Sequence, residues 1–197
     1  MAVTSTDLLM IERGGTLYKA PVSELPSGGG GAAGLVLLQQ ETITTAVSAV
    51  DLDLPSGYSR FRLIGQQLTR NGGYSGVDLS TDGGATFLSD SAVFRTFSRD
   101  MGSNTTVAGG STDTKTIELQ TNEDQNVFCS YDIVSVATRF AIHGQSNGQD
   151  ISDSKWWGTI AWGARVVTSR VDLIRYKGFS NNFTAGTLSL YGYKESV

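Results

Sequence analysis

The chain has 197 residues, of which 39% are apolar and 17% are charged, and its formal net charge is −4. The charged fraction is below the roughly 25% of ordinary soluble domains. The negative net charge and the scattered basic residues argue against nucleic acid as the main partner, because phosphate binding needs clustered Lys and Arg. One cysteine and one histidine exclude an internal disulfide and all but exclude a zinc site or a Cys/His nucleophile pair, so no cofactor or metal is expected.

Residues 1–25 are predicted to form a separate N-terminal anchor. Residues 7–13 read as a short apolar strand, Gly14 and Gly15 as a turn, and residues 16–20 as the returning strand, followed by one helical turn that begins at Pro21. A lone two-stranded hairpin is marginal in water, so these apolar groups need a partner surface. The residues expected to dock are Leu8, Leu9, Met10, Ile11, Arg13, Leu17 and Tyr18. Residues 1–7 have neither the basic nor the apolar region of a secretory signal, and no segment is apolar enough to span a bilayer, so we expect synthesis in a cytoplasm and no membrane partner.

A glycine-rich linker is predicted at residues 26–34, and an all-β domain at residues 35–197. From residue 35 onward, short alternating strands follow one another, broken by Gly, Asn, Asp or Ser, and no helical periodicity intervenes. This pattern predicts eight to eleven antiparallel strands in a jelly-roll-like β-sandwich.

The alternation also predicts which residues of each strand face the core. The expected inward residues include Phe61 and Leu63, Val77 and Leu79, Ile117 and Leu119, Leu188 and Leu190, and the even positions of the segment 134–142. In the strand that starts near residue 156, the residues that make one apolar face are expected inside: Trp156, Ile160, Trp162, Ala164 and Val166. Cys129 is expected to be a buried structural thiol.

The segment 80–87 matches the Asp-box pattern S-x-D-x-G-x-T-[W/F]. Asp82 is expected to cap backbone amides, Gly84 to adopt a conformation barred to other residues, and Thr86 to help lock a hairpin. A single copy indicates a structural hairpin and no catalytic role. The nearby carboxylate pairs, such as Asp51 with Asp53, lack the clamp that a glycosidase needs, so the chain is not expected to be an enzyme.

The polar loop 143–155 leads into two tryptophans. If Trp156 faces the core, Trp157 points outward, where it lies beside polar groups such as Asn147 and Asp150. This arrangement suits either a glycan-binding surface or a buried oligomer contact, and the oligomer contact is favoured because aromatic residues are enriched at interfaces.

The segment 7–19, with its apolar strand, Arg-Gly-Gly and Tyr-Lys, resembles the opening of tailed-bacteriophage virion proteins of the tail-fibre and head-decoration types. Residues 58–63, 82–84 and 183–192 resemble jelly-roll domains of phage structural proteins. The resemblance implies a virion structural protein that docks on capsid, portal, neck or tail proteins by residues 1–25 and displays its sandwich outward as a homotrimer. The alternative is a receptor-binding adhesin that recognises a host surface glycan through sandwich loops.

Overall fold

A computed structural model describes residues 8–13, 16–21, 34–70, 73–89, 92–100, 106–120, 125–150, 155–179 and 182–194. All regular structure in these ranges is β-strand. The described residues fall into two compact units, one that holds the first two strands and one that runs from Leu35 to Tyr193.

The first unit contains the predicted hairpin. Strand β1 (Leu8–Arg13) pairs antiparallel with β2 (Thr16–Pro21), with Leu8 opposite Pro21 and Arg13 opposite Thr16. Both strands lie within one residue of their predicted bounds. Pro21 ends β2, and the rest of the predicted helical turn lies outside the described residues, as does most of the predicted linker.

The second unit has twelve strands in its described ranges, one more than the upper limit of the prediction. In chain order they are β3 (Gly34–Ile43), β4 (Ala49–Asp53), β5 (Arg60–Arg70), β6 (Ser75–Ser80), β7 (Ala92–Asp100), β8 (Thr106–Thr114), β9 (Ile117–Gln120), β10 (Gln125–Val136), β11 (Arg139–Gln149), β12 (Trp156–Val166), β13 (Leu173–Gly178) and β14 (Phe183–Lys194).

These strands form two antiparallel sheets. The large sheet has the order β3-β14-β5-β10-β11-β12-β7-β8, and the small sheet has the order β4-β13-β6-β9. The inner faces of both contribute to one apolar core, so the predicted all-β sandwich class is confirmed. The finer jelly-roll topology stays a prediction.

The core forms where the apolar positions of alternating strands meet between the sheets. All eight residues of the four pairs predicted to face inward are fully buried: Phe61, Leu63, Val77, Leu79, Ile117, Leu119, Leu188 and Leu190. Cys129 lies among them with 4% of its surface exposed, which confirms the buried thiol. Tyr131 also reaches the core and donates a hydrogen bond to the Leu119 carbonyl at 3.0 Å, which links the two sheets.

The predicted orientation of β12 is wrong. Its large apolar residues face outward, with Ile160 60% and Val166 81% exposed, whereas Trp157 is 6% exposed on the inner face. In the middle of this strand the inner face carries only the small residues Thr159, Ala161 and Gly163, where β9 of the small sheet packs against it. At Gly163 a Cβ atom would overlap the Ile117 side chain, so a bulky residue cannot occupy that position. The other members of the predicted inward set, Trp156, Trp162 and Ala164, are also exposed.

The prediction for residues 134–142 is correct for only half of the segment. Phe140 and Ile142 are buried, but Val136 is exposed and Val134 is half-buried. The segment is two strands, β10 and β11, joined by a two-residue turn at 137–138. A turn of two residues exchanges odd and even positions on the core face, so one alternation cannot describe both strands.

Strand β6 is buried along its whole length. Val77 and Leu79 face inward as predicted, but the alternate residues are also covered. Outward-facing Asp78 lies beneath the Lys177 ammonium, 2.7 Å away, and accepts a short hydrogen bond from the Thr116 hydroxyl. Neighbouring side chains therefore shield this strand on its second face.

Candidate functional site

The structure places the predicted docking residues of the anchor on the two hairpin strands. Leu8, Leu9, Met10, Ile11 and Arg13 belong to β1, and Leu17 and Tyr18 belong to β2. Their side chains lie outside the described part of the structure, so docking through them stays a prediction.

The three residues predicted as a glycan or oligomer contact do not share one outward face. Trp157 lies on the inner face of the large sheet, and its indole nitrogen is buried without a hydrogen-bond partner. Asn147 is half-buried on the outer face of β11, opposite Gly158 and Phe128. Asp150 follows the end of β11 and is half-buried. The contact predicted through Trp157 is therefore wrong.

The Asp-box segment forms the predicted capped turn. The Asp82 carboxylate accepts hydrogen bonds from the Thr86 amide at 2.9 Å and the Thr86 hydroxyl at 2.6 Å, and these bonds lower the pKa of Asp82. Gly84 has φ = +87°, as predicted for a glycine-only position. The strands on either side of this turn, β6 and β7, belong to different sheets and do not pair. The prediction that the segment forms a hairpin is therefore wrong.

An apolar patch occupies the edge of the large sheet. Leu35, Val36 and Leu37 are three consecutive exposed residues on β3, which is the end strand of the sheet order. An exposed apolar edge strand presents unpaired backbone groups together with apolar side chains, and it is a ready site for pairing with another chain. We call these three residues the edge patch.

A second exposed region lies on the outer face of the large sheet. Register alignment places five side chains in one line across strands β7, β12, β11, β10 and β5: Arg95, Trp162, His143, Asp132 and Arg62. We call this line the cross-strand row. Directly opposite residues in an antiparallel pair have Cα atoms about 4.5–5.5 Å apart, so the five residues of the row are next neighbours across the sheet.

One end of the row is tightly hydrogen-bonded. The Arg62 guanidinium donates to both oxygens of the Asp132 carboxylate at 2.9 Å, and the Tyr193 hydroxyl donates to the same carboxylate at 2.7 Å. The Arg62 hydrogen bond is the largest cause of a lowered pKa at Asp132, with smaller contributions from Tyr193 and from the charge of His143. Asp132 is therefore a fixed anion at neutral pH, which makes it a hydrogen-bond acceptor.

An open depression of about 480 Å³ lies over the middle of the row. Ile160 and Trp162 form one side of its lining, and Arg62 and Asp132 form the other. Its remaining lining residues are Ser130, His143, Gly144, Gln145 and Ala161. The depression thus combines an exposed indole with amide, imidazole, hydroxyl and carboxylate groups.

At the other end of the row, Arg95 has no acidic partner among the described residues. Arg95 and Arg99 are exposed on β7, on either side of the exposed Phe97, and no carboxylate in the described residues forms an ion pair with them. On the described outer face of strands β14, β5, β10, β11, β12 and β7, the charged residues are five arginines and one aspartate. They are Arg60, Arg62, Arg95, Arg99, Arg139 and Asp132. This face is basic although the whole chain carries −4.

The outer face of the small sheet carries a different charge pattern. Asp51, Arg175 and Asp78 stand opposite one another on β4, β13 and β6. Arg175 donates to both oxygens of Asp51 at 2.7 and 2.8 Å, and its guanidinium lies 4.1 Å from the Phe87 ring centre. Lys177 pairs with Asp78. Asp51, one of the carboxylates predicted to lack a clamp, is thus held by an arginine, so that prediction is wrong for Asp51.

Within the described ranges, no three His, Cys, Asp or Glu side chains converge as a metal site would require. In the same part of the chain, the search for a helix capable of crossing a membrane finds none. A comparison with models of protein families and with curated protein sequences finds no match to this chain.

Sequence reasoning missed the cross-strand row. The alternation in β7 was a visible signal, because Arg95, Phe97 and Arg99 occupy every second position and therefore share one face, and the two arginines mark that face as solvent-exposed. Nothing local in the sequence shows that Trp162 pairs with Arg95 on one side and with His143 on the other, because that depends on the register of three strands.

Proposed function

We propose that this chain is a bacteriophage virion structural protein, a short fibre or decoration protein with no catalytic role. Residues 1–25 attach it to the particle, and the β-sandwich is displayed outward. The observation that carries the proposal is the edge patch, because an exposed apolar edge strand requires a partner strand or surface. The resemblance of residues 7–19 to phage virion proteins supports the same conclusion.

We further propose a homotrimer in which the edge patch of each copy is covered by its neighbour. The edge patch begins one residue after the predicted linker, so the contact would form near the attached end of the sandwich. A heterologous contact of this kind closes into a ring when its rotation is one third of a turn.

Light scattering on the purified full-length chain tests the trimer. We expect a trimer, and we expect the double variant Leu35→Lys, Leu37→Lys to be monomeric, because charges at an interface core are strongly disfavoured. The matched control is Val166→Lys, an exposed apolar residue outside the edge patch, which should leave the trimer intact. A monomeric wild type would refute the trimer.

Particle incorporation tests the function itself. We expect the full-length chain in purified particles, and we expect deletion of residues 1–25 to abolish incorporation while the unfolding transition of the sandwich is kept. A truncated chain that still enters particles would refute the anchor. A full-length chain absent from particles would refute the virion role.

A further inference from the structure

We propose that the outer face of the large sheet binds a carboxylated polysaccharide along the cross-strand row. This inference goes beyond the virion role, since it assigns a ligand to the displayed sandwich. The row crosses five adjacent strands, four spacings of about 4.8 Å or roughly 19 Å, which is the length of a short oligosaccharide.

Trp162 supplies the stacking surface. Its side chain is 47% exposed, and the strand holds it on the outer face next to Ile160. The C–H face of a pyranose ring is apolar and flat, and it packs on an indole while the ring hydroxyls point sideways. Nearly half of the Trp162 surface is exposed, so this part of its indole is available to a ligand.

The depression beside Trp162 supplies hydrogen-bonding groups for sugar hydroxyls. Gln145 and His143 are exposed on β11, and both line it. Asp132, held by Arg62 and Tyr193, is a fixed acceptor on the far side. Rigid groups lose little freedom when a ligand binds, so this side of the depression is already organised for hydroxyl recognition.

The unpaired arginines indicate that the sugar is acidic. Arg95 is directly opposite Trp162, and Arg99 lies four residues along the same strand, on the same face. A planar guanidinium binds a carboxylate through two parallel hydrogen bonds. A sugar stacked on Trp162 would therefore place a ring carboxylate within reach of Arg95. Arg99, roughly 13 Å farther along β7, lies outside the row and adds positive charge to the same face.

A polysaccharide accounts for this face better than a nucleic acid does. Single-stranded nucleic acids are held by a continuous basic groove that follows the phosphates, with a stacking platform for successive bases. Here only one tryptophan belongs to the row, and its middle positions are His143 and Asp132, so the row offers neither a platform for successive bases nor a continuous basic groove.

Affinity electrophoresis of the full-length chain tests the proposal, with polygalacturonate as the carboxylated probe and dextran as the neutral probe. We expect polygalacturonate to retard the protein at low salt and dextran to have at least tenfold weaker effect. Arg95→Gln and Trp162→Ala should each weaken polygalacturonate binding by fivefold or more. Raising the salt concentration should weaken it too, because the contacts are exposed and charged.

Trp156→Ala and Arg175→Gln are the matched controls. Trp156 is an exposed tryptophan of the same strand but lies opposite Gln149, outside the row, and Arg175 belongs to the small sheet. Both should bind polygalacturonate within twofold of the wild type. Circular dichroism and thermal unfolding of all four variants verify that they are folded.

Three results would overturn the proposal. They are equal retardation by dextran and polygalacturonate, unchanged binding by Arg95→Gln and Trp162→Ala, and tighter retention on oligo-dT than on polygalacturonate, which would favour nucleic acid. Absence of any retardation would also overturn it. Particle incorporation is measured separately, so a failure here leaves the virion role standing.

Discussion

The two sheets of the sandwich present outer faces that treat charge differently. On the small sheet, Asp51, Arg175 and Asp78 alternate in sign, and Lys177 completes the set, so each charge has an opposite neighbour. On the large sheet, Arg95 faces an indole instead of a carboxylate. Oppositely charged side chains that pair with each other have their hydrogen-bonding groups occupied. Arg95 has no acidic partner among the described residues, so its guanidinium remains available to a ligand.

The largest effect should separate the two sides of the large sheet. We expect Ile142→Ala, at a site 1% exposed, to lower the free energy of unfolding by about 2–5 kcal/mol, through lost burial and a cavity. Ile160→Ala, at a site 60% exposed on the adjacent strand, should change it by less than about 0.5 kcal/mol. Chemical denaturation monitored by circular dichroism measures both.

This pair of isoleucines tests whether the outer face is open. The test uses the Leu35→Lys, Leu37→Lys variant, which we expect to be monomeric. If adding Ile160→Ala to it lowers the free energy of unfolding by about 2 kcal/mol or more, some part of the chain covers β12. The outer face of the large sheet would then not be exposed, and its contrast with the paired charges of the small sheet would fail.

A smaller effect is expected at the turn that holds Phe87 over Arg175. Gly84→Ala should lower the free energy of unfolding by about 1–2 kcal/mol, because φ = +87° brings an L side chain against its own backbone. Gly57→Ala is the control, since a Cβ there meets nothing within 4 Å and its φ is not positive, and it should be neutral. Equal values for the two variants in urea titrations would contradict the strain.

The smallest effect concerns the ion pair in the cross-strand row. The pKa of Asp132 is lower in the folded than in the unfolded chain, so the unfolded chain binds the proton more tightly. The ion pair therefore stabilises the fold above the unfolded pKa of about 3.9, and this stabilisation is lost as pH falls through the lower folded value. Asp132→Asn should therefore cost about 1 kcal/mol or less at pH 7 and nothing at the lowest pH. Identical losses at pH 7 and pH 2.5 would show that the charge is not the cause.

The sequence was sufficient for the fold class and for most of the core, because period-two alternation depends only on local residues. Phe61, Leu63, Leu188 and Leu190 were correctly placed inside on that basis. The capped turn at Asp82 was equally predictable, since its hydrogen bonds connect residues within the same short segment.

The orientation of β12 was not predictable from alternation. Alternation showed that Trp156, Ile160 and Trp162 share one apolar face, which was expected inside, but the space between the sheets is narrow where Ile117 meets Gly163. That constraint comes from a strand in the other sheet. The candidate site was missed for the same reason, because the row exists only once the register of five strands is fixed.

The position of β14 has a consequence for how the chain is made. This last strand lies between β3 and β5 in the large sheet, so β3 has no neighbour until residues 183–194 have left the ribosome. Pairings between distant segments form slowly because a long loop must close first. During synthesis β3, which carries the edge patch, therefore has unpaired backbone groups along both of its edges until β14 is made.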